Sequence, residues 1–124
     1  MTPGEPPTES PALDATFRHP TRLTVAAFLS ACDEAEFGTV RDYCQVSDSV
    51  LSKAASALEA VGYLDVRKGA VGSRFRTWLS LTPTGHEALA RHLAALQDIA
   101  SAARSAGARA RREAAPPASP SPGV

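Results

Sequence analysis

The chain has 124 residues, of which 44% are apolar, and its 13 basic and 13 acidic side chains cancel. This length supports one modest hydrophobic core, so we expect one domain. No apolar run approaches the ~18 residues of a membrane span, and the N-terminus has prolines and glutamates where a secretory signal would have a basic patch and an apolar core. These features predict a cytoplasmic protein that has no contact with a membrane.

Proline separates the two ends of the chain from its middle. Eight of the ten prolines lie in the segments MTPGEPPTESP and APPASPSPGV, which hold almost no large apolar residue. Such segments bury too little apolar surface to offset the entropy of ordering them. We expect a disordered tail over 1–11, a folded domain over 12–103, and a second tail over 104–124 that is basic and then rich in Pro, Ala and Ser. The basic run from Arg104 to Arg112 either extends the last helix or belongs to this tail.

The first half of the domain has helical apolar spacing. The segment HPTRLTVAAFLSACDEA predicts a mostly buried helix that begins near Pro20. The segment FGTVRDYC predicts a shorter helix with Phe37, Val40 and Cys44 on one face. We interpret Cys32 and Cys44 as reduced core residues, because two cysteines are too few for a disulfide framework or a four-thiolate zinc site.

A third predicted helix begins after Ser47, which can cap it, and ends at Gly62, which can adopt a left-handed conformation. Its inward stripe, at spacings of three and four, consists of Leu51, Ala54, Ala55 and Leu58. Its outer face consists of Ser49, Ser52, Lys53, Ser56 and Ala60. An ordinary solvated helix face carries pairs of glutamate and lysine, so these small side chains indicate the close approach of a partner.

Two strands follow the third helix. The segment YLDVRK alternates with Leu64 and Val66 inward, and the segment RFRTWLSL alternates with Phe75, Thr77, Leu79 and Leu81 inward. The connecting segment GAVGS has a glycine near each end, which favours a five-residue connection over a tight two-residue turn. We interpret Trp78, on the outer side of this hairpin, as a structural residue that packs against the last helix or a loop.

A long final helix completes the domain. Thr82 can cap it, Pro83 suits its first turn, and one apolar stripe carries Leu89, Leu93, Leu96 and Ala100. From Pro83 to Ala103 it measures about 30 Å, so its far end should extend beyond the small core. The residues that we expect to pair with a second copy of the chain are Leu93, Leu96, Ile99, Ala100 and Ala103, assisted by Leu13 and Phe17.

Signals for catalysis, nucleotide binding and metal binding are weak. Gly69 and Gly72 lie between two strands, whereas a phosphate-binding loop lies between a strand and a helix. His86 and His92 are about 240° apart around a helix, so they cannot share a metal ion from one face. No histidine pairs with a serine nucleophile, and the carboxylates of DEAE, between two helices, are interpreted as solvated surface charge. We expect no enzyme, no cofactor and no metal site.

Positive charge is concentrated in the hairpin. No acidic residue occurs from Val66 to His86, whereas Arg67, Lys68, Arg74 and Arg76 all lie there. Cations for phosphates, beside a helix slim enough for a major groove about 12 Å wide, match the requirements of duplex DNA. The predicted DNA-binding residues are therefore Ser47, Ser49, Val50, Ser52, Lys53 and Ser56 of the third helix, with Arg67, Lys68, Arg74 and Arg76 of the hairpin.

The order of helix, helix, turn, helix, basic hairpin and long helix resembles a winged helix-turn-helix transcriptional regulator, close to the MarR and ArsR-like groups. The resemblance spans about Leu13 to Leu96, and LEAVGYLDVRK and RTWLSLTPTG are its most specific pieces. It implies a mainly α fold with a small β-hairpin, in which 47–60 enters the major groove and Arg74 and Arg76 contact the backbone or the minor groove. The chain departs from the pattern in one respect, because Lys53 is the only long polar side chain on the outer face of the third helix.

Together these features predict a homodimeric regulator that occupies an operator and has no catalytic activity. One alternative is a winged-helix module that binds another protein. The other is a ligand-gated or metal-gated sensor of the same fold, in which a cysteine and a histidine from different chains hold the metal. Base recognition would rest on serine contacts, on Val50 against a thymine methyl group, or on DNA shape read by the hairpin.

Overall fold

The computed structural model describes residues 13–114, so the predicted N-terminal tail and the segment after residue 114 lie outside the described residues. Within this range are a 3₁₀ helix at Ala15–Arg18, four α-helices and a three-stranded antiparallel sheet. The helices are α1 (Pro20–Ser30), α2 (Phe37–Cys44), α3 (Asp48–Ala60) and α4 (Pro83–Ala114). The strands are β1 (Ala35–Glu36), β2 (Leu64–Val71) and β3 (Arg74–Leu81). The predicted fold class, mainly α with a small β-hairpin, is confirmed.

Local signals in the sequence set the helix boundaries. The Ser47 hydroxyl caps α3 by accepting a hydrogen bond of 3.2 Å from the backbone N–H of Val50. Gly62 follows the helix with a φ of 81°, a left-handed conformation that favours glycine. The Thr82 hydroxyl caps α4 by accepting a hydrogen bond of 2.9 Å from the backbone N–H of Gly85. These contacts confirm the predicted caps of α3 and α4.

The core lies between α1, α3, the first half of α4 and the inner face of the sheet. Its largest fully buried side chains are Val25, Leu29, Val40, Leu51, Leu58, Leu64 and Leu79. The whole predicted inward stripe of α3 is buried. Each large apolar side chain contributes about 1.5–3 kcal/mol when it leaves water. This burial fixes α3 with its opposite face outward.

β1 is a strand that the sequence analysis did not predict. It pairs antiparallel with β3, with Ala35 opposite Leu79 and Glu36 opposite Trp78, so the strand order is β1-β3-β2. The pairing places the carboxyl-terminal part of the DEAE segment on the edge of the sheet. The expectation of a solvated connection is therefore wrong for this part of the segment.

The connection between β2 and β3 is shorter than predicted. β2 runs to Val71 and β3 begins at Arg74, so only Gly72 and Ser73 lie in the turn. Gly72 has a φ of 65°, and two-residue hairpin turns require a positive φ at this first position. The expected five-residue connection is wrong, because Gly69 and its successors pair in the ladder.

α4 continues beyond residue 103, where the predicted domain ends, and the basic run from Arg104 to Arg112 is part of this helix. Its buried residues are Gly85, Ala88, Leu89, His92 and Ala95. Of the predicted apolar stripe of Leu89, Leu93, Leu96 and Ala100, only Leu89 is buried. In the next helical turn it is His92, and not Leu93, that faces the core. The portion from Leu96 to Ala114 projects from the core over about 28 Å at 1.5 Å per residue.

Three further observations apply to residues 13–114. Neither α4 nor any other helix there combines the length and apolar character that crossing a membrane requires. No group of three or more potential metal ligands occurs among these residues. Cys32 and Cys44 are free thiols packed against the core, as predicted, and burial raises the pKa of the Cys44 thiol.

Candidate nucleic-acid interface

Arg41 links α2 to α3, which follow one another as a helix-turn-helix unit. Its guanidinium donates hydrogen bonds to Asp48 at 2.8 Å and to Asp42 at 3.0 Å. These hydrogen bonds, with the one to Asp48 the larger effect, raise the pKa of Arg41. Asp48 also places negative charge in the first turn of α3, where the helix dipole favours it. The hydrogen bond to Asp48 connects the last turn of α2 with the first turn of α3 at the protein surface.

The outer face of α3 is open. All six residues of this helix region that were predicted to bind DNA are exposed: Ser47, Ser49, Val50, Ser52, Lys53 and Ser56. Among the described residues, Lys53 has no ion-pair partner. The structure therefore presents one cation, Lys53, among hydroxyl groups and small apolar groups, with the carboxylate of Glu59 near the C-terminal end of the same face.

Glutamates that precede α2 neutralise two of the four hairpin cations. Arg67 donates to Glu34, with 2.7 Å between Nη2 and Oε1, and Arg76 donates to Glu36, with 2.5 Å between Nη1 and Oε2. These partners are 33 and 40 positions apart in the sequence. Exposed ion pairs contribute only about 0–1 kcal/mol each, so their main effect is on the local charge. The four-cation surface predicted from the sequence is reduced to two unpaired cations.

Trp78 packs across its own hairpin. The guanidinium carbon of Arg67 lies 4.2 Å from the centroid of the Trp78 ring, which is a cation–π distance. A Cβ atom added at Gly69 would lie 3.2 Å from the same ring, so the glycine leaves room for the indole. The predicted structural role agrees with these contacts, but the packing partner is the neighbouring strand instead of the last helix or a loop.

Lys68 and Arg74 are the hairpin cations that make no ion pair with the rest of residues 13–114. Lys68 lies on the face of the hairpin that is turned toward α3. Arg74 lies next to the turn. A groove separates the hairpin from α3, and its lining includes Ser52, Ser56, Glu59, Val66, Lys68 and Thr77. Of the three unpaired cations Lys53, Lys68 and Arg74, Lys68 lines this groove, where Glu59 of α3 is also present.

Residues 21–100 match the protein family described as "Winged helix DNA-binding domain". The chain belongs to this family. Within it, α3 holds the place of the recognition helix and the β2–β3 hairpin is the wing. This match confirms the winged helix-turn-helix fold inferred from the sequence, and membership of a DNA-binding family argues against an enzyme.

Solved structures of regulators resemble this winged-helix protein. A transcriptional regulator homologue from Pyrococcus horikoshii OT3 has 24% identity and a TM-score of 0.66, over 70% of this chain and 86% of that chain. A MarR-family transcriptional regulator from Silicibacter pomeroyi has 25% identity and a TM-score of 0.54, over 82% of this chain and 63% of that chain. The YusO protein from Bacillus subtilis has 21% identity and a TM-score of 0.62, over 81% of this chain and 78% of that chain. No curated protein matches the chain. The predicted MarR-like resemblance is confirmed.

The residues predicted to contact a second copy divide into two groups. Leu93, Leu96 and Ile99 are 42%, 40% and 47% exposed on α4. The neighbouring Ala100 and Ala103 are exposed as well, and Leu13 is half-buried. Phe17, in contrast, is 2% exposed and its ring stacks on Tyr63 with 5.6 Å between centroids. This corrects the assignment of Phe17, which packs inside the protomer.

A polar contact that the sequence analysis missed joins the N-terminal segment to α4 and to the start of the hairpin. The Tyr63 hydroxyl donates to Asp14 at 2.5 Å, and the backbone N–H of Asp14 donates to Nδ1 of His92 at 3.0 Å. Both partners of Asp14 also contact the Phe17 ring. Because the bonded residues are 49 and 78 positions apart, no local spacing indicates them.

Proposed function

We propose that this winged-helix protein is a transcriptional regulator that binds a specific duplex DNA site as a homodimer in the cytoplasm. The observation that carries the proposal is the outer face of α3, which is exposed, bears only small side chains apart from Lys53 and Glu59, and shares a groove with the unpaired Lys68 of the wing. A helix with so little side-chain bulk can lie deep in a major groove about 12 Å wide.

The residues divide the work between positioning and recognition. Lys68 and Arg74 would contact phosphates and hold the protein in register on the duplex. Lys53 would reach a base edge together with the serines of α3, and Val50 would contact a thymine methyl group. Arg67 and Arg76, which pair with glutamates, support the shape of the wing in this proposal.

The exposed face of α4 supports the homodimer. Small or apolar residues recur at alternating spacings of three and four along the projecting helix, at Leu93, Leu96, Ala100, Ala103, Gly107 and Ala110. This is the spacing of a two-helix seam, and the first two leucines are about 40% exposed in the protomer. Pairing of two α4 helices along this seam would bury the face. Two-fold symmetry would then place the two α3 helices in half-sites about 34–36 Å apart.

Neutralisation of half of the wing charge favours a second candidate, a module that binds another protein. Salt dependence separates the two candidates, because phosphate contacts release counterions and protein contacts of low charge do not. If Lys68 and Arg74 of both protomers each contact a phosphate, log affinity should fall against log salt with a slope of about −4.

The test begins with selection of bound duplexes from a random pool near physiological salt. Affinity for the selected duplex and for a scrambled duplex is then measured between 50 and 200 mM salt. Lys53→Ala should compress the ratio of specific to nonspecific affinity about tenfold. Arg91→Ala, which removes a cation from the exposed side of α4, is the matched control and should leave the ratio unchanged. Absence of salt-dependent binding to any duplex would contradict the proposal.

A further inference from the structure

The inner face of the hairpin continues beyond the core. Four cross-strand pairs form this face: Leu64 with Leu81, Val66 with Leu79, Lys68 with Thr77, and Ala70 with Phe75. The first pair is buried, whereas Phe75 is 89% exposed and is the most exposed large apolar side chain of residues 13–114. The predicted alternation is therefore correct, since Phe75 lies on the same face as Leu79 and Leu81. The hairpin extends beyond the core, however, so Phe75 at its end has no core residue to pack against.

The residues around Phe75 indicate the kind of partner surface that it contacts. The tip is narrow, because only Gly72 and Ser73 form the turn. Lys68 lies on the same face as Phe75, one cross-strand pair closer to the core. Arg74 precedes it on the opposite face, and neither cation has an ion-pair partner in the described part of the chain. An exposed aromatic side chain with unpaired cations nearby complements a groove whose walls are phosphates.

We infer that Phe75 is a wedge that enters the minor groove and partly unstacks one base step, with Lys68 and Arg74 on the flanking phosphates. The inference deepens the proposed function and rests on it. Inserted apolar side chains kink a duplex by about 20–90°, and pyrimidine–purine steps such as TA are the easiest to deform. The wing would thus select sequence through deformability.

A wedge at Phe75 would also compensate for the lack of base-reading side chains on α3. α3 exposes no arginine, asparagine or glutamine on its outer face, so its capacity to pair bidentately with bases is small. A wedge on the wing supplies discrimination at a step that α3 does not touch. Each protomer would contribute one such step, outside the half-site read by its α3.

The test compares the full-length parent with Phe75→Ala, Phe75→Leu and Val71→Ala on the selected duplex. Val71 is 54% exposed at the same tip but on the opposite face, which makes Val71→Ala the matched control. Three signals are recorded: affinity against salt, fluorescence of 2-aminopurine placed at the TA step, and energy transfer between the duplex ends. Both tip residues are exposed, so all variants should fold.

Phe75→Ala should weaken binding about tenfold, because the burial of an aromatic ring is lost, while the salt slope stays at the parent value because no counterion is involved. It should also abolish the rise in 2-aminopurine fluorescence and the bend. Phe75→Leu should retain most of each signal, and Val71→Ala should stay within about twofold of the parent in affinity.

Equal affinity, 2-aminopurine signal and bend for Phe75→Ala and the parent would overturn the wedge and leave DNA binding by the protein intact. A parent that binds no duplex would overturn the proposed function itself. A Phe75→Ala variant that loses self-association in sedimentation, with unchanged 2-aminopurine fluorescence, would assign the tip to a second copy and also overturn the wedge.

Discussion

The base and the tip of the wing differ in what holds them. At the base, Leu64 and Leu81 are buried and β1 extends the sheet, and along the hairpin Arg67 and Arg76 pair with two glutamates. At the tip, Phe75 projects from a two-residue turn with unpaired cations beside it. The base is held by the protein itself, whereas the tip has the composition of a surface that contacts a partner.

The difference teaches that equal charges in one hairpin have unequal roles. All four cations lie within ten positions of the sequence, yet Arg67 and Arg76 have carboxylate partners and Lys68 and Arg74 do not. A count of charges predicts four phosphate contacts for each wing. Because Arg67 and Arg76 are already paired with glutamates, the structure predicts only two phosphate contacts for each wing, from Lys68 and Arg74.

The largest effect on stability should follow from adding a side chain at Gly85, which packs against the base of the hairpin. A Cβ atom at Gly85, in the first turn of α4, would lie 2.3 Å from the backbone oxygen of Tyr63 and 2.9 Å from Leu81. Since backbone atoms cannot move aside cheaply, Gly85→Ala should lower the free energy of unfolding by about 3 kcal/mol. Gly72→Ala at the open tip, where the only cost is the positive φ, should lose about 1 kcal/mol. Urea unfolding measures both, and equal losses would contradict the distinction.

Removing the unpaired wing cations should have the next largest effect. With Lys68→Ala and Arg74→Ala combined, a dimer loses four phosphate contacts, so the salt slope should become shallower by about 3–4 units and affinity for every duplex should fall. Arg67→Ala combined with Arg76→Ala is the matched control and should change the slope by less than about one unit. The assignment of roles within the wing fails if the control changes the slope as much as the variant without Lys68 and Arg74 does.

Releasing the paired wing arginines should have a smaller effect of opposite sign. Glu34→Gln with Glu36→Gln removes both carboxylates, so Arg67 and Arg76 become available to phosphates. Affinity for any duplex should rise about tenfold, with a steeper salt slope. Glu87→Gln, an exposed change on α4, is the control for the loss of negative charge. Unchanged affinity in the double variant would show that the paired arginines lie out of reach of DNA.

The smallest effect concerns pH and the contact between Tyr63 and the N-terminal segment. Burial alone would raise the pKa of Asp14, but hydrogen bonds from Tyr63 and Thr16 outweigh it and lower the pKa below 3.8. A carboxylate whose pKa is lowered on folding stabilises the fold above its unfolded pKa, and this contribution disappears as pH falls through the folded value. Asp14→Asn should therefore cost about 1 kcal/mol near pH 7.

The difference between Asp14→Asn and the parent should shrink below about pH 4. Tyr63→Phe keeps the ring that stacks on Phe17 and removes only the hydroxyl, so it should reproduce part of the loss at neutral pH. Unfolding curves recorded between pH 3 and 7 test this, and a difference that is constant across the range would contradict the role of Asp14.

Sequence patterns predicted the helices because each has a local signal. Ser47, Gly62 and Thr82 mark boundaries through contacts within a few residues, and the α3 stripe repeats at the helical period. The bounds of α2 follow from the same kind of spacing. These features do not depend on the rest of the fold.

The features that the sequence did not reveal depend on distant partners. β1 is two residues long, too short for any periodicity, and its Glu36 and the preceding Glu34 contact arginines more than thirty positions away. The exposure of Phe75 depends on where the core ends, and alternation within a strand does not contain that information. Periodicity likewise does not distinguish His92 from Leu93 as the core-facing residue; in the structure His92 is buried, and its Nδ1 accepts a hydrogen bond from the backbone N–H of Asp14, 78 positions away.

Hydroxyl-radical footprinting of the parent protein on its selected duplex tests the central claim, a dimer that reads DNA through α3 and the wing. We expect two protected half-sites in inverted orientation, with centres about 34–36 Å apart, one turn of the double helix. A single protected stretch without inverted symmetry, or no protection at saturating protein, would contradict the claim.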